Sequence, residues 1–207
     1  MVAVGVLVSL LLTACAGSGE PGESVSPTGV TPFPTATPFP TSTPAPTPTP
    51  TPAGLPSFPP APADEDDTTA AIRAGFEAYW QAYDAALKDP LNEELAEATQ
   101  QVTEPGSEEA EAILQAIQLS RDRDGRTVGN FVFRDVVVSE PTAADDGTRT
   151  ATVTYCSDAT GISLVSISTG EKMDVTPIPT LLETMTLAEG TDGIWRVSMM
   201  RNKEATC

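Results

Sequence analysis

The 207-residue chain contains no histidine, and that omission removes much of the chemistry a domain of this size performs at neutral pH. Ser-His-Asp and Cys-His nucleophiles, His-bearing zinc sites and His/Asp proton pairs all need an imidazole. Ser-x-x-Lys, Gly-x-Ser-x-Gly and Gly-x-x-x-x-Gly-Lys are missing as well. The three cysteines form no Cys-x-x-Cys, so neither redox nor zinc chemistry through sulfur is expected, and no cofactor or metal is implied. Positive charge is scarce: eleven Lys and Arg stand against 29 Asp and Glu, for a net charge of −18, and all eleven lie beyond residue 63. A nucleic-acid partner needs a basic stripe that this chain lacks. An anionic membrane surface repels such a domain, and the acidity serves solubility. Carboxylates and tyrosines are what remain for proton transfer.

The apolar run Val2–Leu12 is about 11 residues long, well short of the about 20 that span a bilayer, and has the length of an export-signal core. No Lys or Arg precedes it, where export signals open on positive charge, so the true start is expected upstream of Met1. The run closes on Leu12, Thr13, Ala14 and Cys15. Those four residues resemble the lipobox of bacterial lipoproteins, which implies cleavage before Cys15 and a diacylglycerol thioether on its sulfur. Two acyl chains at about 0.8 kcal/mol per buried CH₂ give stable anchoring. The alternative is an ordinary secretory signal with an incidental cysteine. With Cys15 given to lipid by this resemblance, Cys156 and Cys207 remain, and an oxidising compartment favours their disulfide over two free thiols. The expected address is the extracytoplasmic face of the cell membrane, with the membrane itself a partner through the N-terminal lipid.

Residues 15–63 read as the lipidated cysteine and a disordered Pro/Thr-rich linker. Fifteen of the 20 prolines fall between 16 and 63 with two charges, Glu20 and Glu23, and a hexad "TPFPTA", "TPFPTS" decays into "TPAPTPTPTP". Such a stretch buries too little surface to offset its ordering entropy. Alternating prolines favour polyproline II, which suits a stalk.

The expected folded domain spans 64–207. Ile72, Phe76, Tyr79, Trp80, Tyr83 and Leu87 recur at helical spacing behind acidic residues and Thr68 that cap a first helix. Asp89-Pro90 ends it and opens a second helix, with Pro90 in the first turn and Leu91, Leu95, Ala98 and Val102 on one face. A third starts near Ser107 and presents Ala110, Ile113, Leu114 and Ile117. "RDRDGR" reads as a polar turn, and the position that a calcium loop would fill with Glu is Phe131. The period then drops to two, and "NFVFRDVVVS", "TRTATVTYCSD", "ISLVSIST", "LLETMTLAE" and "GIWRVSMMR" read as five strands. Helices followed by hairpin-linked strands predict an α+β fold, with N-terminal helices packed on a curved antiparallel sheet of about five strands.

A long helix with an aromatic cluster, short helices and a sheet closing on Asp192, Gly193, Trp195 and Val197 resembles the nuclear transport factor 2-like (cystatin-like) fold. The whole chain is similar to small surface lipoproteins of actinobacterial type. That resemblance implies a cone between helix and sheet, with Tyr79, Trp80, Tyr83, Tyr155 and Trp195 as candidate pocket-lining residues, although an aromatic stripe at helical spacing facing a sheet is usually core. Asp84 is either a base of raised pKa aimed at the cone or an exposed helical carboxylate. Cys156-Ser157-Asp158 positions the disulfide and caps a turn, unless Asp158 belongs to a cavity rim. The function expected is non-enzymatic: binding of a protein or envelope component, or a scaffolding module in a larger assembly. The rival is a carrier or sensor of a small apolar ligand held under the first helix.

Overall fold

The computed structural model describes residues 54–145, 147–176 and 180–207, all within the unit Thr49–Cys207. The signal, Cys15 and the linker up to residue 53 lie outside the described residues. Helix α1 (Asp67–Lys88) starts where Asp66 takes the Thr68 and Thr69 amides at 2.9 and 3.1 Å and the Thr69 hydroxyl at 2.7 Å. The cap is thus Asp66, and Thr68 supplies only an N–H. The helix ends at Asp89, whose φ of −137° and ψ of 69° lie outside the helical region ahead of Pro90. Its inner face, Ile72, Phe76, Tyr79 and Trp80, is buried, as the spacing predicts.

Helix α2 (Glu93–Val102) corrects the expectation for Pro90. Asn92 is the cap, accepting from the Glu94 amide at 3.0 Å, and Pro90 and Leu91 lie in the turn before it. The buried face is therefore Ala96 and Thr99, and Leu91 is exposed. Helix α3 (Glu108–Asp122) is capped by Ser107, whose Oγ accepts from the Ala110 amide at 3.1 Å. Glu109, Ala110, Ile113 and Ile117 face inward, while Leu114 turns outward.

The main sheet is antiparallel in the order β2 (Val132–Val138), β4 (Arg149–Asp158), β6 (Leu181–Glu189) and β7 (Trp195–Glu204), with the two-residue β3 (Thr142–Ala143) beside β4. It is α+β and open. One expected strand is elsewhere: "ISLVSIST" shortens to β5 (Ser163–Ser166) and pairs with β1 (Gly125–Val128), part of which the sequence assigns to the "RDRDGR" turn. Asp124 makes this second ribbon possible. With φ at 53°, its carboxylate accepts from the Ser166 and Ser168 hydroxyls at 2.6 Å each and from the Ser168 amide at 3.0 Å. Two irregularities shape the main sheet. Asp135 takes φ 52° where the β2–β4 register slips between Arg134 and Val137. A second slip between Thr186 and Leu187 pairs Met200 with Met185, so Met200 joins Trp195 and Val197 against the core.

Residues 54–63, which composition gives to the linker, lie partly on the domain. Ser57 bridges to Val132 in parallel, and Phe58 stacks on Phe133 at 5.0 Å between ring centroids.

Candidate functional site

Four of the five candidate aromatics meet under α1. Tyr79 touches Trp80 and Tyr83 with centroids 5.5 and 5.9 Å apart, and Trp80 reaches Tyr155 at 6.2 Å while donating its Nε1–H to the Tyr155 oxygen at 3.2 Å. The Tyr155 hydroxyl lies 3.5 Å from Met200 Sδ. Tyr79 and Tyr155 are fully buried, and Phe76 packs on Tyr155 at 4.7 Å, so rings fill the space that an open cone would leave. Trp195 belongs to the same buried core but lies outside this group of rings. It lies toward the other end of β7, with the Arg149 guanidinium 5.6 Å above its ring.

Two carboxyls join this cluster. Glu109, from the first turn of α3, accepts the Tyr79 hydroxyl proton in a hydrogen bond and is 6% exposed. Glu183, opposite Tyr155 in the β4–β6 register, is 3% exposed, and its Oε2 has no hydrogen-bond partner among the described residues. Burial pushes both carboxyls above the usual range; Tyr79 opposes this at Glu109, and the Tyr155 and Ser157 hydroxyls oppose it at Glu183. The charge of Glu109 raises Glu183 further. Burial also holds the Tyr79 and Tyr155 phenols well above their ordinary value and takes Tyr83 to about 12, so none of the three ionises in ordinary conditions. Glu109 and Glu183 escaped the sequence reading, yet a signal was there. Glu183 shares strand parity with Met185 and Leu187, and Glu109 shares a helical face with Ile113 and Ile117.

Asp84 is neither exposed nor aimed at a cavity. It is 2% exposed and pairs with Lys88, one turn on, at 2.6 Å. Lys88 Nζ also donates to the Gly54 carbonyl at 2.7 Å and Asn130 Oδ1 at 2.8 Å, so the buried pair clasps the incoming chain. Burial raises the Asp84 pKa against the pull of Lys88.

Cys156 and Cys207 are bonded to each other, with Cα atoms 5.9 Å apart across 51 residues of sequence. Closing a loop of that size is worth about 4 kcal/mol in the chain-entropy account. Asp158, half-buried, caps its own turn through the Thr160 amide and hydroxyl and pairs with Arg134 at 3.2 Å. Arg134 also donates to the Cys207 carbonyl at 3.0 Å, which ties the C-terminal residue to β2.

An open concavity lies outside the cone, among the described residues. It is a groove of about 290 Å³ lined by Ala71, Ala74, Gly75 and Ala78 of α1, Val102 at the end of α2, and Trp195. Gln101, Gly193 and Ile194 complete its rim. The small residues recur at three and four, one stripe of the helix. Gly75 is required there, because an added Cβ would sit 2.5 Å from the Trp195 carbonyl. The walls are pinned. Glu104 donates its amide to the Val197 carbonyl at 2.8 Å, and Arg196 donates to the Gln101 carbonyl at 3.0 Å while gripping Asp192 with both terminal nitrogens at 2.9 and 2.7 Å. That grip holds the Asp192 carboxyl well below the usual range.

Solved structures with a similar fold are known. They include a ketosteroid isomerase-like protein from Erwinia carotovora atroseptica, 16% identical over 69% of this chain and 100% of that one, with a TM-score of 0.42. Aln2 from a Streptomyces species is 15% identical over 64% and 90%, with a TM-score of 0.39. ActVI-ORFA from Streptomyces coelicolor is 16% identical over 67% and 98%, with a TM-score of 0.39. No protein-family profile and no curated protein sequence matches the chain. Among the described residues no helix is long and apolar enough to cross a membrane, and no cluster of three or more Asp, Glu or Cys side chains is placed to hold a metal ion.

Proposed function

We propose that the chain is a lipid-anchored extracytoplasmic protein of nuclear transport factor 2-like fold, and that its domain binds an envelope protein through the α1 groove rather than turning over a substrate. The observation that carries this reading is the division between a ring-packed interior and an open, apolar concavity outside it whose walls are hydrogen-bonded to each other. A floor of alanine and glycine admits close approach by another backbone, and the lining carries no formal charge. The lack of histidine supports a binding role over catalysis. The lipid anchor rests on the residues leading to Cys15.

A photo-crosslinking residue placed at Ala74, in intact cells of the native host, should yield one discrete protein adduct, and the same residue at exposed Glu140 should not. Equal adducts at both positions, or none at Ala74, would argue against the groove. A second reading, a small-molecule carrier, is favoured by one feature. Glu183 Oε2 is buried without a partner beside the tyrosines, where a ligand's donor group would satisfy it.

A further inference from the structure

Ser57 makes both backbone bonds of a one-residue parallel bridge: its amide donates to the Phe131 carbonyl at 2.9 Å, and its carbonyl accepts the Phe133 amide at 2.8 Å. Phe58 then enters a slot, stacked on Phe133 and edge-on to Phe76 with centroids 5.6 Å apart. Pro56 is buried, and four residues before Phe58 the Gly54 carbonyl receives Lys88. An added Cβ on Gly54 would lie 2.5 Å from the Asn130 amide nitrogen, whose partner oxygen also holds Lys88. The docked hexapeptide therefore reads Gly-Leu-Pro-Ser-Phe-Pro, residues 54–59.

The same pattern occurs once more, 25 positions earlier: residues 29–34 are Gly-Val-Thr-Pro-Phe-Pro. Glycine, a branched aliphatic residue, phenylalanine and the following proline coincide. The middle pair differs, and the residue before phenylalanine is Pro32, which has no N–H. Seated in the slot, that hexapeptide would leave the Phe131 carbonyl without its donor. Phe39-Pro40 is likewise preceded by a proline, Pro38.

We propose that the slot formed by Phe76, Asn130, Phe131 and Phe133 is a sequence-selective peptide site that takes residues 54–59 and refuses residues 29–34 because proline precedes their phenylalanine, so that the linker docks in a single register. Ser57 is the specificity-determining residue, acting through its backbone. The docked residue also pairs with the start of β2, an edge strand of the main sheet, where free N–H and C=O groups would otherwise invite pairing with another chain. The longest reach left between Cys15 and the domain is that of residues 15–53, on the order of 120 Å fully extended. The inference stands whether or not the α1 groove binds a partner.

Hydrogen exchange at the Phe133 amide in the full chain reports docking. Ser57→Pro is expected to speed that exchange about tenfold, the equivalent of one lost hydrogen bond, while Ser57→Ala leaves it within about twofold because the N–H is kept. Adding Thr31→Pro/Pro32→Ser to the Ser57→Pro chain gives residues 29–34 the docking pattern and should restore slow exchange. Wild-type exchange in Ser57→Pro, or no restoration in the triple variant, would overturn the assignment.

Discussion

Asp84→Ala should lower the stability of the folded chain by about 3 kcal/mol, read as a fall in the urea midpoint. Asp84 and Lys88 are both nearly inaccessible, with side chains 3% and 8% exposed and 2.6 Å between their charged atoms. Removing one partner of such a pair leaves an uncompensated buried charge, which typically costs about 3–5 kcal/mol. The lower end applies here because the Gly54 carbonyl and Asn130 Oδ1 still accept from Lys88. Replacing both, Asp84→Leu with Lys88→Met, removes the stranded charge and should recover most of the loss, since well-packed apolar residues often match a buried ion pair. A deficit below about 1 kcal/mol for Asp84→Ala would mean that water reaches the pair.

Glu183→Gln should act in the opposite direction. A buried carboxylate with an unpartnered oxygen is destabilising by about 1–3 kcal/mol, and the variant should be more stable than the parent by that order at pH 8. The sign with pH follows from the raised pKa. Between the unfolded carboxyl value of about 4.3 and the higher folded value the native state holds more protons than the unfolded state, so stability falls as pH rises through that window. Glu109 acts the same way. The parent chain should therefore grow more stable from pH 8 toward pH 5, and lose stability below pH 4, where the capping carboxylates Asp66 and Asp158, both held low by hydrogen bonds, take up protons. The net charge of −18 gives the same trend above pH 5, so the decisive quantity is the gap between parent and Glu183→Gln. It should close on acidification. A gap independent of pH would mean that folding leaves the Glu183 pKa where it is in the unfolded chain.

The helices were legible in the sequence because their apolar spacing is long and regular, and the caps at Asp66 and Ser107 lie where polar residues precede those runs. The four principal strands were legible from alternation. What escaped depends on contacts distant in sequence. β1 is four residues long and exists because Asp124 fastens the turn after β5, 42 residues away. Neither sequence reading of Asp84 includes Lys88, which pairs with it one helical turn on and decides its state. Composition also hides where the linker ends. Phe58, Phe33 and Phe39 are all phenylalanines among prolines, and of the residues that precede the three only Ser57 carries an N–H.

The central claim is that the domain's interior is complete in itself and its work is done on the outside. Native mass spectrometry of the full protein, purified from its own host and released into the gas phase with and without denaturant, tests that claim most directly. The account predicts one mass in both conditions, residues 15–207 with the diacylglyceryl group on Cys15 and one disulfide. A small molecule present in the native spectrum and lost on denaturation would contradict it.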